Sequence, residues 1–234
     1  MVEDLNVAEV FELACRLCQA ELDCDWVPAK ERFSVEYMNA NSNSERGPVE
    51  IATLTQLVEK LFPVIEAILI DYRLPLFGDH GVAHWARVLE TGLKLTERVG
   101  GNRRVVSLFA VLHDAKRWNE CSDPEHGPRA ADFARELQGT AFEISPRELV
   151  LLEHACRYHT SGRYHEDVTI QVCWDSDRLD LSRVGITPEP GRLCTAAARE
   201  LELLEWADNR ALVGFVPDFV HEIWGIKRDE SRPL

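Results

Sequence analysis

The apolar run at residues 105–112 (VVSLFAVL) ends in two polar residues, His113 and Asp114. A helix of that composition is buried, so the pair is delivered to an interior where an imidazole and a carboxylate need a compensating partner. A divalent cation is one such partner. A helix end that turns Asp114 to solvent, with His113 bonded to a carbonyl, is the plainer alternative for an isolated dipeptide. The surroundings weigh against it: seven of the eight His lie between His80 and His165, several beside carboxylates at helix ends.

The hydrophobic pattern is helical almost everywhere. Residues 7–22 and 51–70 repeat at helical spacing, the second with a bend expected at Pro63. Residues 84–98 form an amphipathic helix and residues 103–114 a central buried one. Further helices are expected over 129–137, 146–159, 169–184 and 193–209, with Gly139, Gly162, Gly185 and Pro188 marking stops. Alternating runs long enough for a sheet are missing, so the expected class is all-α, a bundle of roughly seven or more helices. The polar stretch NANSNSERGP (39–48) divides a small helical N-terminal extension, 1–48, from a main domain, 49–234.

Composition narrows the function classes. Of 234 residues 45% are apolar, enough for a core without staples, and 40 acidic against 26 basic residues give a formal charge of −14. That charge opposes bulk attraction to nucleic acid or anionic lipid. No apolar stretch approaches the roughly 20 residues of a membrane helix, and residues 1–6 lack the basic and apolar regions of a signal peptide. A soluble cytoplasmic protein is expected. Seven Cys, an odd count, suit reduced thiols; Cys15, Cys18 and Cys24 read as one half-buried helical face in preference to a zinc site.

Two more groups join the His-Asp pair. His84 shares a core-facing stripe with Val88, Thr91 and Leu95, and Asp177 shares one with Ile170, Cys173, Trp174 and Leu181. Both are expensive to bury unpaired, and one metal ion satisfies His84, His113, Asp114 and Asp177 together. The segments HGVAHWARV (80–88), LFAVLHDAKR (108–117) and CWDSDRLDL (173–181) carry these residues in an order and context that resemble the HD superfamily of metal-dependent phosphohydrolases. The resemblance covers about residues 76–188, roughly half the chain.

The resemblance implies an HD-domain helical bundle and a residue-by-residue ligand set. The first ligand falls on His84, with His80 capping or lining the entrance. The last falls on Asp177, since Asp175 lies about 160° away around the helix. Arg87 and Arg178 are expected to make salt bridges to the ligand helices. His126 and His159 resemble the additional ligands of members holding two metals, with Asp114 bridging. His154 precedes His159 by five residues and points about 140° away from it, and His165 and His221 are expected on the surface.

A metal with open positions for water lowers the water's pKa and neutralises a phosphoryl oxygen. The implied reaction is hydrolysis of a nucleotide or similar small phosphoester. Lys116 and Arg117 are the expected phosphate clamps, with Arg178 a third candidate; Asp123, Glu125 and His126 are candidates to protonate the leaving group. Arg117 stands where the ppGpp hydrolases and 5′-nucleotidases of the superfamily place an acid, and the Gly-Tyr-Pro motif of its cyclic-di-GMP phosphodiesterases is absent. The implied cofactor is one or two divalent ions: Mn, Fe, Co, Ni, Zn or Mg. A di-iron oxygenase built on His84, His113, Asp114, His126, His159 and Asp177 is the runner-up, and a non-catalytic HD-fold binding module the third reading. The N-terminal extension is suited either to cover the site or to form a homodimer.

Overall fold

The computed structural model describes residues 48–227. The Cys15/Cys18/Cys24 triplet, and with it the expected extension, lies outside them. The described residues are helical, with no β-strand among them and a single isolated bridge, Gln138 to Phe142. The order is α1 (Pro48–Lys60), α2 (Phe62–Leu69), α3 (Val82–Val99), α4 (Arg103–Leu112), α5 (His126–Leu137), α6 (Pro146–Tyr158) and α7 (Val168–Arg178). Three 3₁₀ turns follow, at Leu181–Val184, Pro190–Arg192 and Ala197–Arg199, and then α8 (Leu201–Leu212) and the short α9 (Phe219–Glu222). No described helix is long and apolar enough to cross a membrane.

Three local sequence signals set the frame. Pro63 has no N–H to donate and crowds the preceding turn, so the expected bent helix is two helices separated at Leu61. Asn102 caps α4 by accepting from Arg104 N and Val105 N, and Ser145 caps α6 in a reciprocal box with Glu148. Gly127 brings α5 against α6: a Cβ there would stand 2.8 Å from Cys156 O.

Burial departs from the expected pattern in α3. It reads as amphipathic, yet every residue from 80 to 93 is buried. Its polar stripe faces partners from the C-terminal elements: Arg87 donates to Asp180 and to Phe215 O, and Glu90 pairs with Arg210. Helices α3 and α4 therefore share the centre, with Trp85, Leu89, Phe109 and Leu112 in the core.

Two expected helices are shorter than their patterns predict. Helix α7 stops at Arg178 and tightens, Asp180 N donating to Asp177 O, which turns Asp180 back toward α3. The expected helix over 193–209 begins only at Leu201. Asp175 holds the segment that precedes it. Its buried carboxylate accepts from Cys194 N, Thr195 N and the Thr195 hydroxyl, holding 193–195 as a loop against α7. Asp175 thus anchors the chain return.

Candidate metal centre

The ligand-bearing residues sit at helix ends and on one central helix. His113 and His159 occupy the C-caps of α4 and α6. A helix C-terminus leaves carbonyls without partners, and His159 Nδ1 fills one by donating to Cys156 O at 2.7 Å; His113 Nδ1 donates to Phe109 O at 3.1 Å, a carbonyl that also accepts from His113 N. His126 opens α5 and donates from Nδ1 to Asp123 O at 2.5 Å. His84, on α3, donates from Nδ1 to Asp180 Oδ2 at 2.7 Å.

Those four bonds fix the tautomers. A carbonyl or an ionised carboxylate only accepts, so each Nδ1 carries the hydrogen and each Nε2 is left with a lone pair. The four lone pairs converge in two sets. His84 Nε2 and His113 Nε2 are 3.0 Å apart, with Asp177 Oδ1 3.5 and 3.6 Å from them. His126 Nε2 and His159 Nε2 are 2.8 Å apart, with Asp114 Oδ1 at 3.2 and 3.7 Å. Within each set the potential ligand atoms lie within 4.8 Å of one another. Asp114 belongs to both, its other oxygen, Oδ2, lying 3.6 Å from His84 and from His113.

Facing lone pairs repel unless a cation or a proton lies between them. Asp114 Oδ1 is in addition a buried carboxylate oxygen with no hydrogen-bond donor, which is costly unless a positive charge compensates it. Imidazole nitrogens and carboxylate oxygens are the donor set of first-row divalent ions, so the residues fit the implied metal.

Electrostatics favour the ligand form of two imidazoles and of the carboxylates, and oppose it at His113. Burial, then Arg183, push the His84 imidazole down to about 4, and burial lowers His159 as well. Burial opposes charge on Asp114, Asp177 and Asp180, but neighbouring His and Arg outweigh it, holding all three below the usual carboxylate range. His113 is raised: burial lowers it, and the charges of Asp114 and Asp177 outweigh burial.

Asp180, which the sequence reading passed over, orients the first set. It accepts from His84 and also from Arg87, whose Nε and Nη2 reach its two oxygens at 2.7 and 2.9 Å. Its position one helical turn beyond Asp177 is the signal that finds it, because a ligating imidazole needs an acceptor for its second nitrogen. Replacing Asp180 by alanine is expected to weaken metal binding roughly 10- to 100-fold while leaving all six ligand side chains in place. A metal titration by calorimetry reads this directly.

Arg183, also unforeseen, lies 3.9 Å from Asp177 Oδ1 and donates to Asp79 O. Arg117 stands beside the second set, 3.6 Å from Asp114 Oδ1, tied to Asn119 O and Cys121 O. Each set thus has a buried guanidinium at its edge. Lys116 sits over the Phe133 ring, 3.7 Å from Asp71. Arg178 bonds to the carbonyls of Gly162, Arg163 and Arg192.

The remaining candidates spread out. His80 is buried, its Nδ1 2.5 Å from Glu120 Oε2. His154 stacks among Tyr158, His165 and Trp174, away from both sets, and His221 is exposed. Asp123 is ionised and engaged: burial is outweighed by its bond from Arg129. Glu125 is exposed at the start of α5. Burial, then Asp79, push the Glu120 carboxyl up to about 7.

Fold and centre define a class: an all-helical chain with buried His/Asp clusters of the kind that bind metal. Among curated proteins, the chain is similar to the symmetrical bis(5′-nucleosyl)-tetraphosphatase of Staphylococcus aureus (strain NCTC 8325 / PS 47), at 27% identity over 113 residues, which cover 43% of this chain and 58% of that relative. No family model matches the chain. No solved structure matches it either.

Proposed function

We propose that this chain is a metal-dependent phosphohydrolase of the HD superfamily, acting on a nucleoside polyphosphate or a related small phosphoester. The observation that carries the reading is the convergence of four imidazole lone pairs and two carboxylates into two sets that share Asp114. The likeness to a bis(5′-nucleosyl)-tetraphosphatase supports a nucleotide substrate.

His84, His113 and Asp177 would hold one divalent ion, His126 and His159 a second, with Asp114 between them. Bound divalent ions supply Lewis acidity toward a phosphoryl oxygen and acidify water. The protein residues do the rest. Asp180 and the carbonyls of Phe109, Asp123 and Cys156 hold the imidazoles in one orientation. Arg117 and Arg183 keep positive charge at the edges of the two sets, and Glu120 retains a proton that a leaving group can take up. Arg87, Arg117 and Arg183 add positive charge beside Asp180, Asp114 and Asp177, which with bound divalent ions would favour a polyanionic substrate.

The test is metal stoichiometry by mass spectrometry on aerobically and anaerobically purified protein, followed by a phosphoester panel that includes a bis(5′-nucleosyl) tetraphosphate. Divalent metal that is lost in Asp177→Ala, together with hydrolysis of a panel member, supports the proposal. Metal-free protein under both conditions overturns it, and so does two-iron protein that consumes oxygen and hydrolyses nothing.

A further inference from the structure

Trp118 has no part in the centre, yet the structure fixes it beside one. In the chain it falls between Asp114 and His126, and 58% of its surface is open. Its backbone N donates to Asp123 Oδ2 at 2.8 Å, and the carbonyl of that same Asp123 holds the His126 ring. One residue therefore links the indole-bearing loop to a candidate ligand. The Arg129 guanidinium lies 3.9 Å over the indole, itself bonded to Asp123 Oδ2 and to Lys116 O. Arg73 stands 5.8 Å from the ring centroid. Lys116 and Arg73 share one exposed carboxylate, Asp71, at 3.7 and 3.9 Å, while Arg129 is paired with Asp123.

A large aromatic ring with more than half of its surface open, and with the guanidinium groups of Arg129 and Arg73 over it, suits a flat heterocycle that carries phosphate. We infer that Trp118 is the stacking platform for the base of a nucleotide substrate, with Lys116 and Arg73 meeting phosphates on their way to the centre. The inference rests on the phosphohydrolase reading for its substrate, while the platform itself is testable without turnover.

The kinetic arm compares Trp118→Leu and Trp118→Phe with wild type on a bis(5′-nucleosyl) tetraphosphate and on ribose 5-phosphate, which has no base. Loss of one base stack is worth roughly tenfold. In Trp118→Leu the KM for the nucleotide should rise by about that factor with kcat nearly constant, and the ratio of kcat/KM between the two substrates should fall alongside. Trp118→Phe should restore most of the loss. An equal fall on both substrates would mean that Trp118 only supports the loop, and an unchanged ratio would likewise overturn the platform.

The binding arm titrates adenosine 5′-monophosphate into the full chain and follows tryptophan fluorescence. Quenching in wild type that disappears in Trp118→Phe supports the platform even where no substrate is hydrolysed. Quenching of equal size in both proteins, or in neither, overturns it while leaving the hydrolase reading untouched.

Discussion

Asp114→Ala is expected to empty both halves of the centre at once. Each carboxylate oxygen faces a different pair of imidazoles, Oδ2 toward His84 and His113, Oδ1 toward His126 and His159. No other side chain in the two sets has atoms in both. Metal content by mass spectrometry should fall to background, and kcat/KM should fall by more than the roughly 10- to 100-fold expected for a supporting residue such as Asp180. An Asp114→Ala protein that retained one tightly held ion per chain would show that the halves are independent and that the bridge is dispensable.

Gly81→Ala should be the most damaging single-methyl change near the site. Gly81 precedes α3, and a Cβ there would stand 2.1 Å from Leu76 O and 2.6 Å from Leu76 C, both backbone atoms that cannot rotate aside. Leu76 O also accepts from Val82 N at 2.7 Å, so relieving the clash costs a hydrogen bond at the start of α3. The expected destabilisation is about 3 kcal/mol, the upper end for overpacking, or a drop in Tm of roughly 6–12 °C for a chain of this size. Metal loading should suffer as well, because His84 stands three residues further on. Gly191→Ala is the control, since nothing lies within 4 Å of its Cβ position, and it should change stability by less than about 0.5 kcal/mol.

The helical class and the order of the elements were legible because hydrophobic spacing reports directly on which side of a helix is buried. The same logic put His84, His113 and Asp177 on interior faces, and their spatial set follows from three helices packing those faces together. His126 and His159 entered as candidates only through their resemblance to the additional ligands of two-metal HD proteins, and each stands at a helix end with its Nδ1 on a carbonyl. Asp180, Arg183 and Glu120 were not. Their importance comes from partners far along the chain, His84 for Asp180 at a separation of 96 residues and Asp79 for Arg183 at 104. Spacing places Asp180 one turn beyond Asp177 but names no partner for it, and for Arg183 it gives no signal. The expected helix at 193–209 starts late, at Leu201, after a segment tied to Asp175 of α7, a contact that local periodicity does not encode.

The candidate ligands come from α3, from α7, and from the ends of α4, α5 and α6. Such a centre has no counterpart in the unfolded chain, where those residues are up to 93 positions apart. Any ion that it holds is bound by the folded state alone, so affinity for metal is also free energy of folding. At a free ion concentration of one hundred Kd the linkage is worth about 2.7 kcal/mol, a sizeable part of the roughly 5–15 kcal/mol that a domain has in total. The stability of this protein is then not a fixed property of its sequence. With metal bound as proposed, it would vary with the metal supply of the surroundings, the ions acting as a reversible cross-link among five helices.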